Sequence, residues 1–256
     1  DNIKTFNEAQ SCYKEAAKNG LRKSRTKRCA QTSLEIGKGL FEPDSKNMAM
    51  LTYNYGKTLF GKERESVLKN AIKLYESIHG KDAPELIDLL IDAEKPNRAL
   101  SIAEASFGKE SIHYADTLLD AGMHDLTRLS SKSRYLKEAL KVYNNEAERP
   151  ESWVASLANF QLGKIKMAKG KYKSSIPFFL EATKNPSIAS YAHAFLVEAY
   201  DRTNQQDKAT EHVLIMAKQP NKVNTEDRDY IPLFVKQPEY PLKAQKKGRE
   251  GYAVIA

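Results

Sequence analysis

The chain has 256 residues, of which 41 are Lys or Arg and 33 are Asp or Glu, so that its formal net charge is +8. Hydrophobic residues make up 41% of the sequence, which is enough apolar mass for one or two folded domains. No apolar run approaches the roughly 18 residues of a membrane-spanning helix. Leu, Ile, Tyr and Phe recur almost to the last residue. The composition therefore excludes a spanning helix within these residues and excludes disorder for most of the chain.

Up to about residue 217, nearly every segment has apolar residues three and four positions apart, the spacing of amphipathic helices. Gly, Pro or Asn interrupts this spacing at intervals that suit short turns between helices. No useful alternation of apolar and polar residues, which would indicate strands, occurs before residue 230. The predicted class is therefore all-α. The predicted antiparallel helix pairs lie at about 3–40, 44–79, 83–108, 110–148, 150–184 and 186–217.

Cys12 and Cys29 are the only cysteines, and each lies in one helix of the first predicted pair. Asn19-Gly20, midway between them, is typical of a helix end, so an antiparallel pair would bring both sulfurs to the same height. We predict a disulfide, which would contribute roughly 3 kcal/mol through the closed loop and would imply an oxidising compartment. The alternative is two buried free thiols, which a thiol titration of denatured protein would reveal. A zinc site would lack ligands, because no histidine lies nearby.

Late in the chain, apolar and small residues repeat at an offset of 34, as in Leu162 and Leu196 or Pro186 and Pro220. In the first of the two repeats, the residues that carry this pattern are Leu162, Gly163, Gly170, Tyr172, Phe179, Ala182 and Pro186. They resemble the packing positions of a tetratricopeptide repeat. The resemblance implies stacked helix pairs over residues 1–220, forming a right-handed superhelix with a concave face. Pro177 is expected in the opening turn of its helix, where its missing N–H has no intrahelical partner.

The repeat resemblance also implies which side chains line the concave face, namely those at fixed positions of the first helix of each pair. Their positions predict a binding groove for an extended peptide or for a partner protein. The alternative is that the following helix or the chain's own tail fills this groove. The matching positions are Leu157, Phe160, Lys164, Met167 and Ala168 in one pair, and Tyr191, Ala194, Glu198, Asp201 and Arg202 in the next.

After Pro220 the composition changes: residues 221–230 are polar and suit a linker, and prolines follow in the segment 231–256. The segment carries a second pattern, Gln237, Pro238, Tyr240, Pro241, Ala244, Gln245, Gly248, Glu250 and Gly251, followed by Val254. This pattern resembles the opening of a TonB C-terminal domain, although Ala253 stands where that family usually has a β-branched residue. The family's domain continues for several strands and a helix. We therefore expect 231–256 to be the truncated start of such a domain, extended and poorly packed.

The TonB-like resemblance implies work in the periplasm, which agrees with the oxidising compartment that the cysteines suggest. This localisation implies an exported protein whose signal peptide has been removed. The expected function is a scaffold that assists TonB-dependent energy transduction, with proteins of that complex or outer-membrane receptors of iron or siderophore uptake as partners. The alternative is an envelope-assembly or peptide-binding adaptor unrelated to energy transduction. A third alternative is a cytoplasmic adaptor, in which both thiols would be free.

Residues that would indicate catalysis are sparse. The five histidines form no metal-binding motif, and no phosphate loop, nucleophile elbow or dinucleotide fingerprint occurs. His113 and His193 are expected to be packing or surface residues. Asp88 and Asp92 lie one helical turn apart, but such pairs are common on solvated helix faces. We therefore predict no enzyme activity, no cofactor and no bound metal.

A basic run is expected in the first interhelix loop, where it would be either a solvated loop or a contact for an anionic partner. Nucleic acid is not expected, because no aromatic residues are interleaved with the charges. The residues of this run are Arg22, Lys23, Arg25, Lys27 and Arg28.

Overall fold

The computed structural model describes residues 2–18, 23–124, 128–145 and 153–218. All the regular elements of these ranges are helical, so the predicted all-α class is confirmed. A 3₁₀ turn at Pro84–Leu86 precedes α5. The α-helices of the described residues are α1 (Asn2–Lys18), α2 (Lys23–Leu40), α3 (Lys46–Lys57), α4 (Gly61–His79), α5 (Ile87–Asp92), α6 (Pro96–Phe107), α7 (Ile112–Met123), α8 (Leu129–Asn145), α9 (Trp153–Ala168), α10 (Tyr172–Ala182), α11 (Pro186–Arg202) and α12 (Gln206–Lys218).

The six predicted helix pairs are confirmed, because each predicted range contains two consecutive helices of the structure. Adjacent pairs also pack on each other where α2 meets α3, α6 meets α7 and α10 meets α11. The linker 221–230 and the TonB-like segment 231–256 lie outside the described residues. Their organisation, like the right-handed superhelix, stays a prediction.

The described helices belong to two compact units, with the boundary between Val142 and Tyr143 inside α8. Unit 1 contains α1 to α7 and most of α8, and unit 2 contains the end of α8 together with α9 to α12. Each unit has its own buried apolar side chains, such as Leu118 and Leu136 in unit 1 and Phe179 and Leu196 in unit 2. The prediction of one repeat domain over 1–220 is left untested by this division.

Side-chain caps and glycines set several of the helix ends. Ser45 and Ser111 each accept a hydrogen bond from a backbone N–H three residues on, at 3.3 and 3.1 Å, and so begin α3 and α7. Gly80 and Gly108 follow α4 and α6 with φ of 95° and 82°, a backbone region that glycine adopts more readily than any other residue. Because these signals are local, the positions of the turns could be predicted from the sequence.

The two helices of a pair approach closely where a small residue faces a large one. A Cβ atom built on Gly163 of α9 would lie 2.6 Å from Cε1 of Phe179, a fully buried residue of α10. The Phe179 ring also stacks on Phe195 of α11, with 5.2 Å between ring centroids. In unit 1, Gly56 faces Leu68 and Gly122 faces Leu136 in the same way. The tetratricopeptide-like packing positions are therefore real contacts in both units.

The Cys12–Cys29 disulfide is confirmed, with 5.8 Å between the two Cα atoms. It joins α1 to α2, and Cys29 is buried. Phe6 packs edge-on against Phe41, with 5.4 Å between ring centroids. The first helix pair is thus held both covalently and by an aromatic contact.

Pro177 corrects one expectation, because it lies inside α10 and not in its opening turn. A proline at this position cannot donate the intrahelical hydrogen bond to the carbonyl of Lys173. Both residues are exposed, so water can reach that carbonyl oxygen. Solvation on this side of the helix explains why α10 continues through the proline.

Substituting Gly163 by Ala should lower the free energy of unfolding of unit 2 by about 1–3 kcal/mol, because the added methyl overlaps a ring that cannot move aside. The control is Gly39→Ala in α2, where an added Cβ meets nothing within 4 Å. That substitution should leave stability unchanged or raise it by about 0.5–1 kcal/mol. Urea unfolding followed by the fluorescence of Trp153, the only tryptophan, reports on unit 2, and circular dichroism reports on all helices. Equal effects of the two substitutions would contradict the packing argument.

Candidate protein-docking faces

The predicted groove residues of α9 divide into buried and accessible side chains. Leu157 and Phe160 are only 2% and 3% exposed, so both pack inside unit 2. The ring of Phe160 contacts Phe179 and Phe195 edge-on, with centroid distances of 5.8 and 5.3 Å. Their role in this structure is core packing, and they offer little surface to a partner.

Lys164, Met167 and Ala168 lie along the same helix and reach solvent to increasing degrees. The ammonium of Lys164 lies 5.7 Å from the centre of the Phe160 ring, a cation–π distance. Met167 is half-buried and Ala168 is exposed. This end of α9 is therefore the accessible part of the predicted groove.

Three of the five predicted residues of α11, namely Glu198, Asp201 and Arg202, lie near its C-terminal end. Arg202 is 4.0 Å from Glu198, and its guanidinium lies 5.5 Å from the centre of the Tyr172 ring. Asp201 accepts a 2.6 Å hydrogen bond from Gln206. Tyr191 and Ala194 are half-buried. The surface is polar and partly paired within itself, and its binding of a partner stays a prediction.

The basic run is helical, which corrects its predicted place in a loop. Lys23, Arg25, Lys27 and Arg28 lie in the first turns of α2, and Arg22 lies outside the described residues. Cations are unfavourable near the positive end of a helix, but Lys and Arg have high helix propensity, and here propensity prevails. Lys27 lies 3.7 Å from Glu63 of α4, while Arg25 and Arg28 are exposed. The TonB-like residues from Gln237 to Gly251 also lie outside the described residues.

Sequence reasoning missed a polar face in unit 1. It is formed mainly by the first helices of successive pairs, with one residue from α4, and α3, α5 and α7 each carry two polar residues four positions apart and therefore on one side of the helix. We call it the tyrosine–carboxylate face, and its residues are Tyr13 of α1, Tyr53 and Lys57 of α3, Tyr75 of α4, Asp88 and Asp92 of α5, and Asp116 and Asp120 of α7.

Asp92 is the junction that holds this face together. The hydroxyl of Tyr53 donates a 2.6 Å hydrogen bond to one carboxylate oxygen of Asp92. Arg64 of α4 donates a 2.8 Å hydrogen bond to the backbone carbonyl of Asp92 and lies 3.5 Å from its other carboxylate oxygen. Lys57 lies 3.6 Å from the same carboxylate. Burial, followed by the charge of Asp92, raises the pKa of Tyr53, so this phenol stays a neutral donor. One carboxylate thus ties α3 and α4 to α5.

Asp120 shows that the face has an excess of negative charge. Its pKa is raised to about 6, first because surrounding protein displaces water from the carboxylate, and then because Asp88, Asp116 and Asp92 repel another negative charge. The ammonium of Lys57 acts in the opposite direction and does not cancel these effects. As a residue, Asp120 remains accessible to solvent. A cationic group placed beside it would therefore be stabilised electrostatically.

Aromatic rings border the carboxylates. Tyr53 and Tyr75 pack edge to face with 6.3 Å between ring centroids. The pKa of Tyr75 is raised by burial and by the charge of Asp88, and that of Tyr13 by burial and by Asp92. Phenol rings next to carboxylates suit Lys and Arg side chains, which combine cation–π contacts with charge-assisted hydrogen bonds.

The described residues contain no group of three His, Cys, Asp or Glu that could hold a metal ion. Over the same ranges, no helix combines the length and the apolar character that crossing a bilayer needs.

Comparisons with known proteins give a likeness in solved structures only. No family model and no curated protein matches the chain, so the TonB-like resemblance rests on its own residues. The crystal structure of BtubC (BKLC) from P. vanneervenii is similar with 14% identity and a TM-score of 0.47, over 84% of this chain and 89% of that one. A putative kinesin light chain of Podosopora anserina with nearly identical TPR-like repeats is similar with 8% identity and a TM-score of 0.46, over 83% and 93% of the two chains. Neither likeness carries an argument about function.

The raised pKa of Asp120 can be tested by removing one charge at a time. Asp88→Asn should lower the pKa of Asp120 from about 6 towards its usual 3.8, because one repelling carboxylate is lost. Lys57→Gln should raise it, because the opposing cation is lost. The carboxyl ¹³C shift of Asp120, followed against pH by NMR, measures both. A pKa near 3.8 in the unsubstituted protein would refute the charge excess.

Proposed function

We propose that the chain is a non-enzymatic scaffold whose tyrosine–carboxylate face docks an extended, cationic segment of a partner protein. Repeated helix pairs are a fold suited to protein interaction. The observation that carries the proposal is the convergence of four carboxylates from α5 and α7 beside half-buried tyrosines. The chain as a whole has a net charge of +8, whereas this face is negatively charged. The face therefore selects a basic ligand.

The spacing of the face favours an extended segment over a folded surface. Helices α5 and α7 pack directly on each other, and packed helices have axes roughly 8–10 Å apart. In a polyproline-type segment, every third side chain points the same way, about 9 Å apart. Lys or Arg at every third position would therefore meet α5 and then α7 in turn.

The finer part of the proposal is that this partner belongs to the TonB energy-transducing system, that the chain works in the periplasm, and that it assists uptake through outer-membrane receptors of iron or siderophores. Two features support it. The Cys12–Cys29 disulfide suits an oxidising compartment, and the residues from Gln237 to Gly251 resemble the opening of a TonB C-terminal domain.

The alternative is an envelope-assembly or peptide-binding adaptor unrelated to energy transduction. What favours it is that the tyrosine–carboxylate face lies wholly within unit 1 and needs nothing from the TonB-like segment. The exposed Arg25 and Arg28 of α2 also leave an anionic partner open for that part of unit 1.

A peptide with Lys at every third position, and Pro and Ala between, should bind the full chain at pH 7 more tightly than the same peptide with Glu in place of Lys. Asp120→Asn should weaken binding about two- to fivefold, the range expected for one exposed charge pair. Binding to the unsubstituted protein should also weaken between pH 7 and pH 5. The reason is that a bound cation lowers the pKa of Asp120, so binding releases protons and is favoured at higher pH. Fluorescence anisotropy of the labelled peptide measures all three.

The matched control is Glu181→Gln, which removes one negative charge from an exposed residue of unit 2. It changes the net charge as much as Asp120→Asn does, but it should leave affinity unchanged. Asp120→Asn should also lose the pH dependence. If both substitutions weaken binding equally, the attraction is a general effect of net charge and the face is not the docking site.

Growth tests the TonB part separately. A strain lacking the gene should grow poorly when a ferric siderophore complex is the iron source, and normally on excess iron salts that enter without the receptor. The full gene should restore growth, and a gene lacking residues 231–256 should not. Normal growth on the siderophore complex would remove the energy-transduction proposal and leave the docking scaffold in place.

A further inference from the structure

Two buried histidines form a direct contact between α11 and α12. Nδ1 of His193 lies 2.9 Å from Nδ1 of His212, and each residue is only 8% exposed. A hydrogen bond between two imidazole nitrogens requires that one carry a proton and the other be bare. The contact therefore exists only while at least one of the two Nδ1 atoms is unprotonated.

This contact is a major part of the packing of α12 on α11. Ala209 and His212 are the buried residues of that helix. The His212 ring meets the His193 ring edge to edge, with 5.0 Å between centroids and 32° between planes, and stacks on Tyr200 at 5.5 Å and 8°. Alanine contributes little apolar area, so His212 is the larger of the two buried side chains of α12, whose Ile215 and Met216 are half-buried.

Protons act on this pair in two steps. The first proton can enter at the outer nitrogen of the donor ring, which makes an imidazolium and keeps its Nδ1–H pointing at the partner. The second proton must enter at the accepting Nδ1, which would place two N–H groups and two positive charges face to face at 2.9 Å. That state cannot keep the contact, so the rings must separate.

The surroundings oppose protonation. The pKa of His193 is lowered by burial and by His212, and the pKa of His212 is lowered by burial, with the Glu211 carboxylate acting in the opposite direction. The nearest cation on α12, Lys208, lies 5.5 Å from the centre of the Tyr200 ring.

The charged groups of the other helices that pack on α11 are directed elsewhere. At the end of α10, Glu181 pairs at 2.6 Å with Lys184, which follows the helix, and both residues are exposed. On α9, Lys164 lies over Phe160 and Lys166 is half-buried. On α11 itself, Glu198 is paired with Arg202, and Asp201 with Gln206. Glu211 is thus the charge that acts on the pair most directly.

We propose that the His193–His212 pair is an acid-sensitive latch, which holds α12 on α11 at neutral pH and releases this helix when both imidazoles become protonated. The sign follows from linkage. Both groups bind protons more weakly in the folded state than in the unfolded chain, where the pKa is about 6.5. The stabilisation is therefore complete above about pH 6.5 and is lost as the pH falls below it. This inference is independent of the docking proposal.

Hydrogen exchange of the full chain between pH 7.5 and pH 5.0 tests the latch, after correction for the intrinsic exchange rates. The opening equilibrium constant of the α12 amides should rise by up to about tenfold per pH unit for each imidazole, and that of the α9 amides should rise less. The double substitution His193→Phe with His212→Phe keeps an aromatic ring at both positions but cannot titrate, so its α12 amides should show no such rise. The control is His113→Phe in unit 1, an exposed ring stacked on Phe107, which should leave the α12 response unchanged.

A response of α12 that persists in the double variant would overturn the proposal. If that variant does not fold, the ¹⁵N chemical shifts of the two imidazoles in the unsubstituted protein test the same proposal. One ring should carry its proton on Nδ1 and the other on Nε2, and both should titrate below pH 6.5. Titration of either ring at or above pH 6.5 would likewise overturn the latch.

Discussion

The close approach of two helices over a glycine is the constraint on which three of the described helix pairs depend. Where Gly163 faces Phe179, and where Gly56 and Gly122 face leucines, there is no room for even one added carbon. A large side chain can then be fully buried between helices only 11 to 19 residues long. Short helices are marginal by themselves. Because the two helices of such a pair are packed tightly together, the outer side of the first helix can contact other molecules.

Helix pairing could be predicted from sequence because its causes are local. Glycines, prolines and serine caps mark the turns, and the pairing of α1 with α2 places the cysteines together. The predictions for Pro177, for the basic run and for Leu157 and Phe160 depended on finer geometry. Solvent on one side of α10 accommodates Pro177, helix propensity outweighs the dipole at the start of α2, and neighbouring rings cover Phe160.

The tyrosine–carboxylate face and the histidine pair escaped the sequence for a different reason. Asp88 and Asp92 have the spacing of any solvated helix face, and only the packing of α5 against α7 brings them close enough to Asp120 to raise its pKa. His193 and His212 lie on different helices and share no motif. Long-range electrostatics of this kind needs coordinates. A regular signal was nevertheless present, since polar residues four apart recur on the first helices α3, α5 and α7.

Asp92 and Asp120 belong to one surface but differ in what their loss would do. Asp92 is engaged by Tyr53, Lys57 and Arg64, so replacing it would leave the Tyr53 hydroxyl of α3 without its acceptor and Arg64 of α4 without its ion-pair partner. Asp120 is accessible, and its ionised form is disfavoured by its surroundings. A change at Asp120 would therefore alter the charge of this surface without touching the bonds that join α3 and α4 to α5, whereas a change at Asp92 would break those bonds. Two carboxylates of one surface thus differ in role, the first electrostatic and the second architectural.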